Sequence, residues 1–431
     1  MRRFTQTGLV ARMALESEDE ADQSDAAIAG AETAETELLE TADAEGELDG
    51  DQAANDEAVE SKEALESLVD VMHDSLGNGG MSKGEARMMQ LHVDHIVSRV
   101  GIADARRLPA MESYGVSSSR IGATKLAMEG VGEQIKKIWD AIVEAIKKAK
   151  QWIIDNFNKY FGAAEKLQKR AKAIKDRGSK LSGKAKEAKV KSSSLVKALH
   201  IAGKVDNVAA GIETVSVVVT KTFTRVTNHS LKETEKLIAG LEDDGKVATM
   251  SVTAAASNVG DDVYGAPGQD MVYQRGEEMP GGFAVVERAP SKAATGAEAL
   301  ELYSRQEVIV KPFNPKANAP TNEELPTLDG ATIVKIATSV EKISDAIVGG
   351  RATEKKLTEA LDKAVRAAEK HSKAVEGEED AEKKKTARSL QKATGNLTKV
   401  LVGSVASVVG YAGRASSSAL NYCELSLKQY A

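Results

Sequence analysis

The chain has 431 residues, of which 42% are hydrophobic, 29% charged and only 4% aromatic, and its formal net charge is −7. So few rings exclude a thick aromatic core and point to helices packed in thin layers or bundles, while a single cysteine, Cys423, excludes a disulfide-stapled fold. The net charge conceals a division: residues 1–112 hold 9 Lys+Arg and 26 Asp+Glu, net −17, leaving 49 basic and 39 acidic residues, net +10, beyond them.

The start, Met1-Arg2-Arg3-Phe4, is basic but no apolar run follows it, so no signal peptide is expected. The most apolar runs, near Val215–Val219 and Val400–Ala412, are shorter than the roughly 18–20 residues that span a bilayer. A chain made in a reducing cytoplasm and staying soluble is the expectation. Most of the acid lies between Glu16 and Glu66, where Lys62 is the only cation and large apolar residues are scarce. Such a stretch cannot offset the entropy of ordering its backbone, so disorder is predicted for it. It reads either as a solubilising tail or as a removable segment that masks a basic partner region.

From Val131 the character reverses, with 19 basic and 6 acidic residues between Gln134 and Lys204. Val131, Ile135, Ile138, Trp139, Ile142, Ile146, Ala149, Ile153, Phe157 and Tyr160 recur in steps of three and four, which predicts a helix over Val131–Phe161. The Lys-rich stretch Glu165–Ser194 reads as an exposed helix or a flexible basic arm. Val205–Leu241 is predicted helical, although Val215–Thr220 is β-branched enough for a strand. Gly245–Pro326 carries seven of the eight prolines, with strand-like runs at Met271–Gln274, Phe283–Glu287 and Glu307–Lys311. Helical spacing returns over Thr332–Val375, divided at Gly349-Gly350. A charged linker, Glu376–Lys385, precedes a last helical region, Leu390–Tyr430, rich in small residues.

The predicted fold is therefore mainly α: an elongated helical bundle with a small β-containing insertion and a disordered acidic N-terminal segment. Its expected units are an acidic segment 1–112, a basic helical region 113–244, an insertion 245–330 and a helical region 331–431.

Motifs for chemistry are weak. Gly178-Ser-Lys-Leu-Ser-Gly183-Lys184-Ala185 approaches a phosphate loop, but Ala185 replaces the magnesium-binding hydroxyl and no buried strand precedes it. His92 and His95 share a helical face without a third metal ligand nearby. No H-E-x-x-H occurs. No catalytic residue, metal site or cofactor is expected, and the chain reads as a non-enzyme. Exposed lysines suit sequence-independent contact with phosphates, and Lys136, Lys137, Lys147, Lys148, Lys169, Arg170, Lys172 and Lys184 are the candidate polyanion contacts. Alternatively, Trp139, Trp152, Phe157 and Phe161 with their flanking lysines would lie in an anionic membrane surface; a periodic apolar face is more commonly a core.

The acidic part ends in Leu108-Pro109-Ala110-Met111-Glu112-Ser113-Tyr114-Gly115, where the charge balance changes sign. Ala-x-Glu followed by a small residue resembles the sites cut by prohead proteases of large tailed phages. The whole layout resembles the internal head proteins of phiKZ-like giant phages. The tetrapeptide recurs around Glu16, Glu66 and Glu129, and shorter matches end at Glu187, Glu301 and Glu376. Glu112 stands apart by its place at the charge boundary beside Pro109, where an exposed, extended chain is expected.

The resemblance implies a propeptide removed by a prohead protease, with cleavage at Ala110-Met111-Glu112-Ser113 and secondary sites at Glu16, Glu66 and Glu129. It implies a mature protein inside the capsid, packaged with double-stranded DNA beside other capsid or inner-head proteins. A carried-in net charge of −17 would offset the +10 body until the cut, making cleavage a charge switch. The competing expectation is an ejected virion protein acting on the host membrane through the basic amphipathic helix.

Overall fold

The computed structural model describes residues 25–101, 108–243, 246–247, 250–252, 262–264, 270–314, 320, 323–375 and 381–430. The molecule is mostly helical, with short antiparallel strands, in agreement with the predicted class. In chain order come α1 (Asp25–Gly77), α2 (Lys83–Arg99), a 3₁₀ turn (Met111–Tyr114) and α3 (Ser117–Ser179). Then follow β1 (Lys189–Lys191), α4 (Ser193–Leu199), α5 (Val208–Arg225), a π turn (Val226–Ser230) and α6 (Leu231–Glu242). The next segment holds β2 (Ser251–Val252), β3 (Asp262–Tyr264), β4 (Met271–Arg275), β5 (Phe283–Pro290), β6 (Ala294–Thr295), α7 (Gly296–Ser304), β7 (Glu307–Pro312) and β8 (Glu324–Pro326). Last are α8 (Gly330–Gly349), α9 (Arg351–Val375), α10 (Ala381–Gly395), a second π turn (Lys399–Gly403) and α11 (Ser404–Lys428).

Residues 1–24 of the acidic segment expected to be disordered, Glu16 among them, lie outside the described residues. From Asp25 onward the chain is a 53-residue helix, α1. Ala and Glu are strong helix formers, which favours that conformation, yet 17 acidic residues against one cation repel one another along it. What holds it is tertiary. Leu48, Leu65 and Met72 are buried, and α1 runs antiparallel along α3, with Ala44 near Trp152 and Met81 near Thr124. Its buried residues, Ala44, Leu48, Asn55, Ala58, Val59, Ser61, Lys62, Leu65, Glu66 and Met72, follow helical spacing, but four of the ten are polar. A hydrophobicity pattern misses them for that reason.

The predicted helix at Val131–Phe161 is the middle of α3. Its apolar face is interior, with Ile138, Trp139, Ile142, Ile146, Ile153, Phe157 and Phe161 all at most 2% exposed. Trp152, Phe157, Tyr160 and Phe161 stack edge to face. The helix packs on α1, α8, α9 and α11. Helix continues to Ser179 along Leu167, Ala171, Ile174 and Gly178, so this part of the Lys-rich stretch is an amphipathic helix and not a free arm. It stops where Gly178 and Gly330 meet. A Cβ on Gly178 would lie 2.8 Å from Ile333 Cγ2, and one on Gly330 would lie 2.7 Å from the Gly178 carbonyl oxygen. Gly178 of the phosphate-loop-like segment thus serves a close helix approach.

α11 is the central element. Its small residues, Ala406, Gly410, Ala412, Gly413, Ala415, Ser416 and Ala419, are buried, letting α1, α3, α5 and α8 approach from several sides. The strands cluster as predicted: β3-β4-β5-β7 form an antiparallel sheet, with Val272 opposite Ala289 and Val285 opposite Val310. Two small pairs, β1–β8 and β2–β6, bind the ends of this region to the helices. Tyr411 joins sheet to bundle by donating to the Pro280 carbonyl at 2.8 Å and packing on Phe283. Val215–Thr220 is helical, because Ile212, Val215 and Val219 face the core at helical spacing.

Candidate functional site: the charge boundary and the paired acidic arm

The segment joining the acidic and basic halves is anchored at both ends. Leu108 is buried and its N–H donates to Gln90 Oε1 at 2.8 Å. Tyr114 is fully buried, its hydroxyl donates to the Ala123 carbonyl, and burial pushes that hydroxyl up to about 12. Between them Ala110 and Glu112 are exposed, with Met111 and Ser113 half-buried. The stretch is not extended: Ser113 N–H donates to the Ala110 carbonyl at 2.9 Å and Gly115 N–H to the Glu112 carbonyl at 3.0 Å, closing a 3₁₀ turn. The Tyr114 anchor draws the chain inward and tightens it.

The other tetrapeptides differ in setting. Glu129 is exposed on the side of α3. Glu66 is buried in mid-helix, 2.5 Å from Lys62 Nζ, and Lys62 in turn lies over the Trp139 ring at 5.8 Å. Burial pulls the Lys62 ammonium below its ordinary range, and Glu66 opposes that.

The eight candidate phosphate contacts divide. Lys136, Lys137, Lys148, Lys169, Lys172 and Lys184 are exposed. Lys147 lies 2.7 Å from Glu144 and 3.0 Å from Glu369, which hold its ammonium above the ordinary range. Arg170 is engaged inside: its guanidinium takes both carboxylate oxygens of Glu424, at 3.0 and 2.8 Å, and Asn421. Its side chain is only 11% exposed, because the α11 surface reaches over it. Arg170 locks α3 to α11.

The arm's carboxylates find partners that sequence reasoning missed. Asp70 takes two bonds from Arg388, at 2.5 and 2.9 Å, and raises its guanidinium above the ordinary range. Glu63 pairs with Lys392 at 2.9 Å, Asp56 with Lys399 at 3.2 Å, and Glu45 with Arg414 at 3.1 Å. Glu57 meets Arg99 on α2 at 2.9 Å. Among the described residues the acidic segment thus pairs with cations of α2, α10, α11 and the second π turn. Three glycines receive it: a Cβ on Gly395 would lie 2.5 Å from Val59 Cγ2, one on Gly403 2.8 Å from Gln52 Nε2, and one on Gly410 1.5 Å from Glu45 Oε1. Residues 59, 52 and 45 step by seven, and glycines 395, 403 and 410 by eight and seven. The available signal was that matched spacing, read antiparallel.

A second charged cluster lies away from this groove. Arg225 pairs with Glu287 at 2.6 Å in the interior, and Glu233, only 3% exposed, lies 3.1 Å from His229. Burial pushes the Glu233 carboxyl up to about 8, against the pull of Arg225 and Lys236.

These elements define a helical molecule that neutralises its own charge across a groove. No curated protein and no solved structure matches the chain. A family model does: residues 16–425 match the phiKZ-like phage internal head proteins, and the chain belongs to that family. It is a phage virion structural protein of the capsid interior. Among the described residues no helix is long and apolar enough to cross a membrane.

Proposed function

We propose that this internal head protein is non-enzymatic, matures by a prohead protease cut after Glu112, and is packaged against double-stranded DNA beside other inner-head proteins. The observation that carries the reading is the joint itself. Ala110 and Glu112 are exposed between two buried anchors, where an arm of net −17 meets a body of net +10. The turn has to open for a protease, which means releasing the bonds from Ser113 N–H to the Ala110 carbonyl and from Gly115 N–H to the Glu112 carbonyl. Lys148, Lys169, Lys172 and Lys184 then supply point charges that neutralise phosphates without reading bases.

Docking of the arm changes how the charge switch works. A cut after Glu112 removes the covalent tie but leaves the buried stripe of α1 in its groove. Release of the arm is a second step. N-terminal mapping of the protein from purified particles tests the reading. A start at Ser113 is expected, and an intact N-terminus in finished particles refutes maturation at this site.

A further inference from the structure

Four of the cations that meet the arm stand in one line. Arg388 and Lys392 lie on α10, Lys399 in the second π turn and Arg414 on α11. At 1.5 Å per residue they span about 39 Å. In an unbroken α-helix Arg414 would be turned about 80° from Arg388, and one residue absorbed by the wider π turn brings it back to about 20°. The row sits at the rim of the groove, with side chains 20–33% exposed, while Leu48, Val59 and Leu65 hold the arm from beneath. Each pair is partly open to water and is weakened by salt, so the row is placed to exchange one polyanion for another.

We propose that Arg388, Lys392, Lys399 and Arg414 form a binding site for the phosphate backbone of duplex DNA, kept neutralised by Glu45, Asp56, Glu63 and Asp70 of the arm. The inference rests on the DNA reading above and gives it a second surface. Two observations favour a nucleic acid. Arg388 already holds Asp70 by two parallel bonds, the fork geometry in which a guanidinium also takes a phosphate. The arm is a rod carrying −16 over residues 25–77, roughly one charge per 5 Å at helical rise, so it imitates a weak polyanion. Duplex DNA, at one charge per about 1.7 Å, is the stronger competitor. A helix from another protein would have to evict the apolar stripe, whereas a duplex needs only the rim.

The test uses the full chain with D56N, E63Q and D70N together, which uncovers the row without touching the stripe. Anisotropy of a labelled random-sequence duplex is followed between 50 and 300 mM salt. The expected result is binding about tenfold tighter at 100 mM, with a log–log salt slope steeper by about 0.9 for each phosphate newly engaged. Adding R388Q, K392Q and K399Q returns both to the starting values, while K342Q, K355Q and K356Q, equal in charge and remote, leave the gain in place. An unchanged affinity overturns the proposal. So does a gain that survives loss of the row, or capture of anionic vesicles without DNA.

If the triple variant melts, D70N alone serves, since that carboxylate is 56% exposed. A gain of about twofold supports the site and no gain counts against it. K148Q, K169Q, K172Q and K184Q together examine the earlier reading separately. No loss of binding by the intact chain refutes that reading and leaves the row standing.

Discussion

Replacing Gly395 by Ala sets two effects of opposite sign against each other. Alanine stabilises a helix over glycine by roughly 0.5–1 kcal/mol, and the backbone here is helical, so without a neighbour G395A would strengthen the protein. The added Cβ, however, would fall 2.5 Å from Val59 Cγ2 and 3.5 Å from Ile142 Cγ2. Val59 is β-branched and cannot swing away as a flexible side chain would, so the arm itself has to move by about an ångström. Overpacking of this kind costs about 1–3 kcal/mol, and the net is an arm loosened by up to about 2 kcal/mol. Native-state hydrogen exchange reads that locally: amides of residues 48–72 should exchange up to about thirtyfold faster, with those of β4 and β5 unchanged. Slower exchange in the arm, or an equal change in sheet and arm, would refute the docking register.

Three further outcomes follow from the buried charges and the groove. Glu233 keeps its proton in the fold up to about 8 against an ordinary 4.5, so its cost is absent below 4.5, grows as pH rises to 8, and is constant above. It amounts to about 3 kcal/mol at pH 7, and E233Q should gain that much on the wild type in urea unfolding between pH 4 and pH 7; a gap independent of pH contradicts it. Removing Glu287 leaves the Arg225 guanidinium, 10% exposed, without its partner, and E287A should cost about 3–5 kcal/mol by the same assay, recovered largely by R225M in the same chain. Protein cut at residue 112 in vitro should retain its N-terminal fragment through gel filtration at low salt; immediate separation shows that the stripe does not hold the arm.

Much of the body was legible in the sequence. The three strand-like runs became β4, β5 and β7, and the helix breaks at Gly349-Gly350 fell between α8 and α9, because local propensity and burial agree there. The arm was not legible. Its buried face carries Asn55, Lys62 and Glu66, which register as polar in any periodicity scan. The cations that neutralise it lie about 320–370 positions further on, as for Asp70 and Arg388 or Glu45 and Arg414. Composition alone predicts disorder there, and no local pattern reveals the long-range pairing that holds residues 44–74. For the same reason the lysines of α3 stood out as contacts while the row on α10 and α11, diluted among small residues, did not.

Glu45 waits for Arg414, 369 residues later. At roughly 5–20 residues per second a ribosome needs about 20–75 s to bridge that distance. Over that time α1 has α3 to pack on, but not yet the cations of α10 and α11 that neutralise it. A copy truncated before α11 would carry the arm on α3 without Arg414 and Gly410 to receive Glu45.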